Sequence, residues 1–195
     1  FFNCAGVFLG GEIRDTPIED WDRISIANLA PVWNATSIVY TAMQQQGHGH
    51  IINVASSAGL FPVPAMSLYG ATKAAVVSMT LGLRNEARSL GIRVSVVCPT
   101  VVKTPLYETA LYAGVRRSTV LELIQSRRGL QDPVVTARHI AKKTLRNRGI
   151  IHTSSFTYLT ALLFRISPAV YGYLAEKVLY KYRKSLRIQG DRTRR

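Results

Sequence analysis

Acidic residues are scarce in this chain of 195 residues: eleven Asp and Glu stand against 25 Lys and Arg, for a net charge of +14. The deficit is local. Residues 1–115 hold seven basic and seven acidic side chains, and the whole excess falls in residues 116–195. Such a polarised chain suggests a neutral body joined to a basic region that an anionic surface attracts. Cysteine is nearly absent too. Cys4 and Cys98 cannot build a disulfide framework, and both are expected as reduced, buried thiols of a cytoplasmic protein. Histidine is sparse, with four in all. The pair in Gly47-His48-Gly49-His50 has no third ligand nearby and reads as a solvated turn, so no metal is expected. Long apolar runs are missing: the uncharged stretch Ile150 to Phe164 falls short of the ~20 residues that a helical span needs. No basic leader precedes an apolar run at the start, and residue 1 is Phe, which suggests a fragment, a processed product or an incomplete gene model. What remains, 47% hydrophobic content, is too apolar for disorder and sufficient for one folded core.

Local patterns predict an alternation of strands and helices. Phe1 to Gly6 is a short apolar run that leaves through a turn. A helix should follow from about Pro17 to Gln46, with Thr16 as its cap, Pro17 in the first turn and Glu19 closing a capping box, loosened where Pro31 removes a backbone donor. His50 to Ser56 is a β-branched run, hence a buried strand. Tyr69 to Leu90 reads as a long helix of small residues stopped by Gly91. Ile92 to Pro99 is a second buried strand. Asp132 caps a further helix that has Pro133 at its first position and Gly149 as its stop, and Ile150 to Ser154 forms a last strand. This order predicts an α/β fold with a parallel sheet and helices on both faces. Ligands of such sheets bind at the carboxyl ends of the strands, where Asn3–Gly6, Ala55–Ser57 and Pro99–Thr104 fall.

Tyr69 and Lys73, four residues apart on a helix, share one face near its start. A free phenol has a pKa near 10 and is a poor base at neutral pH. A nearby ammonium and the helix N-terminus favour the phenolate, so the pair is expected to give or take a proton near neutrality. An isolated Tyr-x-x-x-Lys is weak evidence, because a half-exposed aromatic beside a surface lysine satisfies it equally. Ser56 and Ser57, at the end of the preceding strand, add a hydroxyl that can hold the oxygen Tyr69 protonates.

Asn3-Cys4-Ala5-Gly6, Asn53-Val54-Ala55-Ser56-Ser57-Ala58-Gly59, Tyr69-Gly70-Ala71-Thr72-Lys73 and Pro99-Thr100-Val101-Val102-Lys103-Thr104, with Asn28 between the first two, resemble the ordered motifs of the short-chain dehydrogenase/reductase family. Cys4 replaces that family's second Asn, and Thr100 stands in a usual Gly place. The likeness covers roughly residues 1–107. It implies a partial Rossmann-like, doubly wound parallel sheet and an NAD- or NADP-dependent oxidoreductase interconverting a secondary alcohol and a carbonyl. By resemblance, Tyr69 is the general acid/base, and Lys73 lowers the phenol's pKa and bonds the nicotinamide ribose. Ser56 holds the substrate oxygen, with Ser57 as the alternative. Asn28 anchors a water linking Lys73 to solvent. Asn3, Ala5 and Gly6 border the cofactor, as do Pro99, Val102 and Thr104. A homo-oligomer is a further family expectation.

That family grips its dinucleotide through a glycine-rich turn after its first strand. Here Gly-x-Gly-x-x-Gly is missing: Gly47-x-Gly49 has Ile52 in the third place and precedes a strand. By resemblance the chain starts at the family's fourth strand. The residues present are therefore expected to bind a dinucleotide poorly and to leave an apolar edge at Phe1–Cys4. The alternative to an enzyme is a catalytically impaired, truncated remnant acting as a binding or membrane-surface module.

Residues 1–153 are assigned to the truncated Rossmann-like domain and 154–195 to a basic amphipathic tail. Ser167 and Pro168 open a helix that runs to about Arg187. Winding at 100° per residue places Val170, Tyr171, Leu174, Val178, Leu179, Tyr182 and Leu186 on one side and Lys177, Lys181, Arg183, Lys184 and Arg187 on the other. Three readings compete: docking on the protein's own body or a twin subunit, peripheral attachment to anionic lipid, and nucleic-acid binding. The last is disfavoured because no recognised module accompanies the charge. Lipid attachment, together with the apolar segment Leu106–Gly129 where the family keeps its variable substrate cap, hints at a lipophilic substrate.

Overall fold

The computed structural model describes residues 1–125 and 129–191, without the side chains of Leu123 and of residues 185–191. Four strands form one parallel sheet in the order β1 (Phe2–Asn3), β3 (Gly49–Val54), β4 (Ile92–Cys98) and β6 (Ile150–His152). Alternation sorts the side chains. Ile51 of β3 and Ala55 just after it, with Val94, Val96 and Cys98 of β4, face the two long helices α1 (Ile18–Gln46) and α2 (Ser67–Ala87). Ile52, Val97 and Ile151 face the other way, against Ile140 of α4 (Pro133–Leu145). Helices therefore cover both faces of the sheet, as expected.

A polar layer lies inside the α1/α2 face. Asn53 is fully buried and spends its amide on both helices, accepting from Thr36 Oγ1 of α1 at 3.2 Å and donating to Thr80 Oγ1 of α2 at 3.1 Å. Satisfied at both ends, it fixes the register of the helices on the strand instead of carrying an unpaired amide in the core.

Helix α1 departs from expectation at its start. Pro17 occupies the cap position with no side-chain bond, while Thr16 Oγ1 donates back to Glu12 O at 2.8 Å. A tight turn at Ile13–Asp15 claims the threonine, so the capping box does not form. Pro31 leaves the helix unbroken, because buried residues hold it on both sides: Ile24 and Asn28 against the loop after β1 and the start of α2, Val32 and Thr36 against the sheet. Helix α2 ends at Ala87, earlier than expected, and a 3-10 turn at Arg88–Leu90 carries the chain to Gly91, whose φ of +71° suits glycine; a Cβ there would stand 2.7 Å from Gly47 O.

Two strands were not legible in advance. β2 (Leu9–Gly11) and β5 (Leu111–Ala113) pair in parallel beside the main sheet. Each has three residues, too few to show a period. The same segment continues into α3 (Arg117–Gln125). The tail forms α5 (Ser155–Ile166) and α6 (Pro168–Asp191). Cys98 is buried, but Cys4 is exposed, contrary to expectation, because β1 ends at Asn3 and Cys4 already lies in the loop. Phe1 and Phe2 lie exposed along the outer edge of β1, as foreseen.

On the α4 side of β3, half-buried His50 shares a hydrogen bond of 2.9 Å with Ser95 Oγ. Burial first, then the positive charges of Arg93, the Phe1 amino group and Arg84, hold its pKa at about 4, below the ordinary 6.5. A depressed folded-state pKa means that this stability is complete above pH 6.5 and is lost as pH falls through 4. Urea midpoints measured from pH 7 to pH 4 should fall more steeply for the wild type than for His50→Gln; parallel curves would refute the assignment.

Candidate active site

The carboxyl ends of β1, β3 and β4 open towards the start of α2. Ser56 follows β3, and its Oγ accepts the Ala58 N–H at 3.2 Å, which shapes the turn Ser57–Gly59. Ser57 N reaches Pro99 O at 2.8 Å and so ties the β3 exit to the β4 exit. Tyr69 stands in the first turn of α2 at 6% exposure. Burial pushes its phenol above the ordinary value of 10, a hydrogen bond with Ser56 pulls it partly back, and the buried Cys98 adds to the rise. Of the two serines, Ser56 is thus the one whose hydroxyl acts on the Tyr69 phenol.

Lys73, one turn further on, is 4% exposed. Its Nζ lies 5.8 Å from the centre of the Tyr69 ring and donates to Val54 O at 3.5 Å. Desolvation depresses the ammonium from 10.5 to about 8, while the thiols of Cys4 and Cys98 oppose that shift. The expected fall of the phenol towards neutrality is therefore not what this geometry yields. The amine shares the tyrosine's burial, and desolvation outweighs its charge at that distance. The structure holds Tyr69 as a neutral phenol, the form that donates a proton.

Asn28, fully buried on α1, clamps the loop after β1. Its Oδ1 accepts Val7 N at 2.7 Å, and its Nδ2 donates to Val7 O at 3.1 Å and to Thr72 Oγ1 at 2.9 Å. Thr72 Oγ1 in turn donates to Tyr69 O at 2.8 Å. Both amide donors of Asn28 are thereby spent inside the protein, and the residue positions the helix that carries Tyr69 and Lys73. Sequence reasoning missed Thr72, although its place between Tyr69 and Lys73 was the available signal. Gly6, with φ +147°, lies in the same clamp; a Cβ there would stand 2.7 Å from Lys73 Nζ and 2.9 Å from Asn28 Oδ1. Only glycine brings the loop this near the amine.

The other expected residues fall around the same opening with differing freedom. Asn3 is buried and turned inward: Nδ2 donates to Val32 O at 3.2 Å, and Oδ1 accepts Ala5 N at 3.5 Å. It braces Ala5 and Gly6. Pro99, Val102 and Thr104 lie on the β4 exit loop, which Gln131 holds. Gln131 N donates to Val101 O at 3.0 Å, Lys103 N donates to Gln131 O at 3.0 Å, and Thr153 Oγ1 donates to Gln131 Oε1 at 2.7 Å. Phe8, Tyr107 and Tyr112 form an aromatic wall beside Tyr69, with the Phe8 ring 5.0 Å from that of Tyr69 and 5.3 Å from that of Tyr107.

A buried phenol at the carboxyl edge of a parallel sheet, one helical turn from a buried lysine and following a strand end that carries Ser56, is an arrangement able to exchange a proton with a bound oxygen. The chain belongs to the short chain dehydrogenase family, whose model matches residues 1–111. It is 35% identical over 120 residues to a D-beta-hydroxybutyrate dehydrogenase of Rhizobium meliloti, covering 62% of this chain and 46% of that one. It is 39% identical over 105 residues to an inactive 2-(S)-hydroxypropyl-CoM dehydrogenase of Xanthobacter autotrophicus, covering 53% and 46%. A crystal structure of a short chain dehydrogenase/reductase from Burkholderia phymatum in complex with NAD superposes with a TM-score of 0.72 at 26% identity, over 84% of this chain and 64% of that one. The chain spans about half the length of the curated relatives it matches.

The buried ammonium of Lys73 carries a cost that pH exposes. At pH 7 it is charged in both the folded and the unfolded chain. As pH rises through 8 the folded chain loses the proton first, so the wild type gains stability until about 10.5. Lys73→Met should be more stable than the wild type at pH 7 by up to about 3 kcal/mol. The gap should close as pH approaches 10.5. Denaturant titrations at both pH values check this; a variant less stable at pH 7 would contradict the buried-charge assignment.

Proposed function

We propose that this chain carries the proton-transfer half of an NAD- or NADP-dependent oxidoreductase that interconverts a secondary alcohol and a carbonyl. The observation that carries the reading is the enclosure of Tyr69 at the sheet edge with the buried Lys73 ammonium 5.8 Å from its ring. In carbonyl reduction the substrate oxygen accepts the Tyr69 proton while the Ser56 hydroxyl steadies that oxygen. In alcohol oxidation the proton returns to Tyr69. A nicotinamide dinucleotide, when bound, supplies or takes up the hydride. Such a group suits the donor set: among the described residues the Lys73 ammonium has one long acceptor, Val54 O, so donors remain for a ribose diol. The narrow approach at Gly6 and the exit loop bearing Pro99, Val102 and Thr104 would border it.

The wall of Phe8, Tyr107 and Tyr112, with Val63, Met66 and Leu106 packed around it, favours an apolar body on the substrate carbonyl. Exposed Ile26 and Trp33, seven residues apart on one side of α1, give a homo-oligomer an apolar patch to bury. A second reading, a non-catalytic binding module, draws support from the relative whose own name describes it as inactive.

Dinucleotide-dependent reduction of apolar ketones, followed with NADH and NADPH, separates the two. Tyr69→Phe should keep the fold and lose at least about a hundredfold in kcat, the contribution of a positioned acid. Turnover that survives the substitution would overturn the role of Tyr69. Absence of dinucleotide binding by calorimetry would favour the binding module.

A further inference from the structure

We propose that the outer face of α5 and α6 is a docking surface for an anionic lipid bilayer. Helix α6 meets the body with only one edge of the apolar stripe that winding the sequence predicts. Its half-buried side is Tyr171, Ala175, Leu179 and Tyr182. Tyr171 packs between Phe61 and Phe164 and donates to Pro62 O, while Arg183 Nε reaches Glu12 Oε1 at 2.8 Å. These contacts turn the opposite side of the helix outward. Val170, Tyr173, Leu174, Val178 and Tyr180 are exposed there. At 100° per residue, Lys177, Lys181 and Lys184 fall among them, and all three are exposed. The side chains of Leu186 and Arg187 lie outside the described residues.

Helix α5 adds to this surface. It turns Thr157 and Ala161 inward and exposes Phe156, Tyr158, Leu159, Leu162 and Ile166. Its single charged residue is Arg165. Glu176 is the only acidic side chain described on the two helices. Large apolar side chains, tyrosines and lysines exposed on two adjoining helices match the boundary layer of a bilayer: the apolar groups enter the acyl edge, the phenols sit at headgroup depth, and the ammonium groups meet anionic headgroups. Among the described residues no helix is long and apolar enough to cross a membrane, so the pair would lie on the surface.

Charge selects this occupant over a second copy of the chain. A symmetric contact through this face would set the lysines of one chain against those of the other. Nucleic acid would satisfy the lysines but leave the five large side chains of α5 in water. The seat of Tyr171 on Phe61 and Pro62 places the surface beside the loop that leads to Tyr69, whether or not the proposed reaction holds.

Co-sedimentation of the full chain with vesicles of phosphatidylcholine alone, or of phosphatidylcholine with phosphatidylserine, tests the proposal. Sedimentation with the anionic vesicles and not with the neutral ones is expected. Lys177→Glu/Lys181→Glu/Lys184→Glu should weaken the partition at least about a hundredfold, since each lysine near an anionic surface contributes close to a fivefold factor. Leu159→Ser/Ile166→Ser, on the other helix, should weaken binding to the same vesicles without any change of charge. All five positions are exposed, and circular dichroism verifies that both variants fold. No sedimentation with the anionic vesicles would overturn the proposal, as would equal partition of the lysine variant. So would a dimer by light scattering that Leu159→Ser/Ile166→Ser converts to monomer, or a duplex oligonucleotide bound in preference to the vesicles.

Discussion

The two amide donors of Asn28 reach Val7 O and Thr72 Oγ1, and this clamp sets the distance between the first strand's exit and the helix that carries Tyr69 and Lys73. Three pieces of chain far apart in sequence meet at one buried side chain. Each of its bonds is made where solvent cannot compete, so removing any partner would leave a buried polar group unpaired. The clamp also explains why the loop needs Gly6: with Val7 drawn onto Asn28, the preceding residue lies against the Lys73 amine and has no room for a side chain. Geometry at the sheet edge is thus imposed from below, by α1, before any ligand is considered.

Burial then decides the protonation states. Tyr69 and Lys73 are both almost fully enclosed, and enclosure disfavours the charged form of each. The phenol rises from 10 and the amine falls from 10.5 to about 8, so the two values move apart, and at neutral pH the pair is a neutral acid beside a buried cation. Ser56 works against the trend for Tyr69 through its hydrogen bond. A site arranged in this way is prepared to donate a proton from oxygen, and the lysine contributes unspent N–H donors more than it contributes charge.

Much of this was legible in the sequence, for identifiable reasons. The β-branched runs His50–Ser56 and Ile92–Pro99 predict the two central strands. Four-residue spacing puts Tyr69 and Lys73 on one face, and Ser56 stands at a strand end where ligands bind. Features that depend on contacts distant in sequence were not legible. The bond from Asn28 to Thr72 spans 44 residues. The capture of Thr16 by Glu12 depends on a turn with no marked pattern, and β2 and β5 exist only because they find each other. Periodicity correctly named α6 as amphipathic but does not say which edge of the stripe faces the body. That choice is made by Tyr171 and Arg183 finding partners on loops that the helix's own pattern cannot describe.

The tail follows from the same separation of roles. An exposed ion pair such as Arg183 with Glu12 is screened by solvent and holds a helix weakly. Aromatic contact is the firmer tie: Tyr171 lies between Phe61 and Phe164, with ring centres 5.8 and 5.2 Å away. One aromatic residue near the start of α6 therefore fixes the rotation of the helix, and rotation fixes which residues meet water. A body that is itself basic, with 16 Lys and Arg against nine Asp and Glu in residues 1–153, gains nothing from a row of outward lysines interleaved with valine, leucine and tyrosine. Such a row stabilises the fold neither by burial nor by ion pairing, and exposed apolar groups in water are a liability. Its composition becomes favourable where an apolar phase and negative charge lie in adjacent layers, which is the physical reason for looking to a lipid surface and not to the protein's own core.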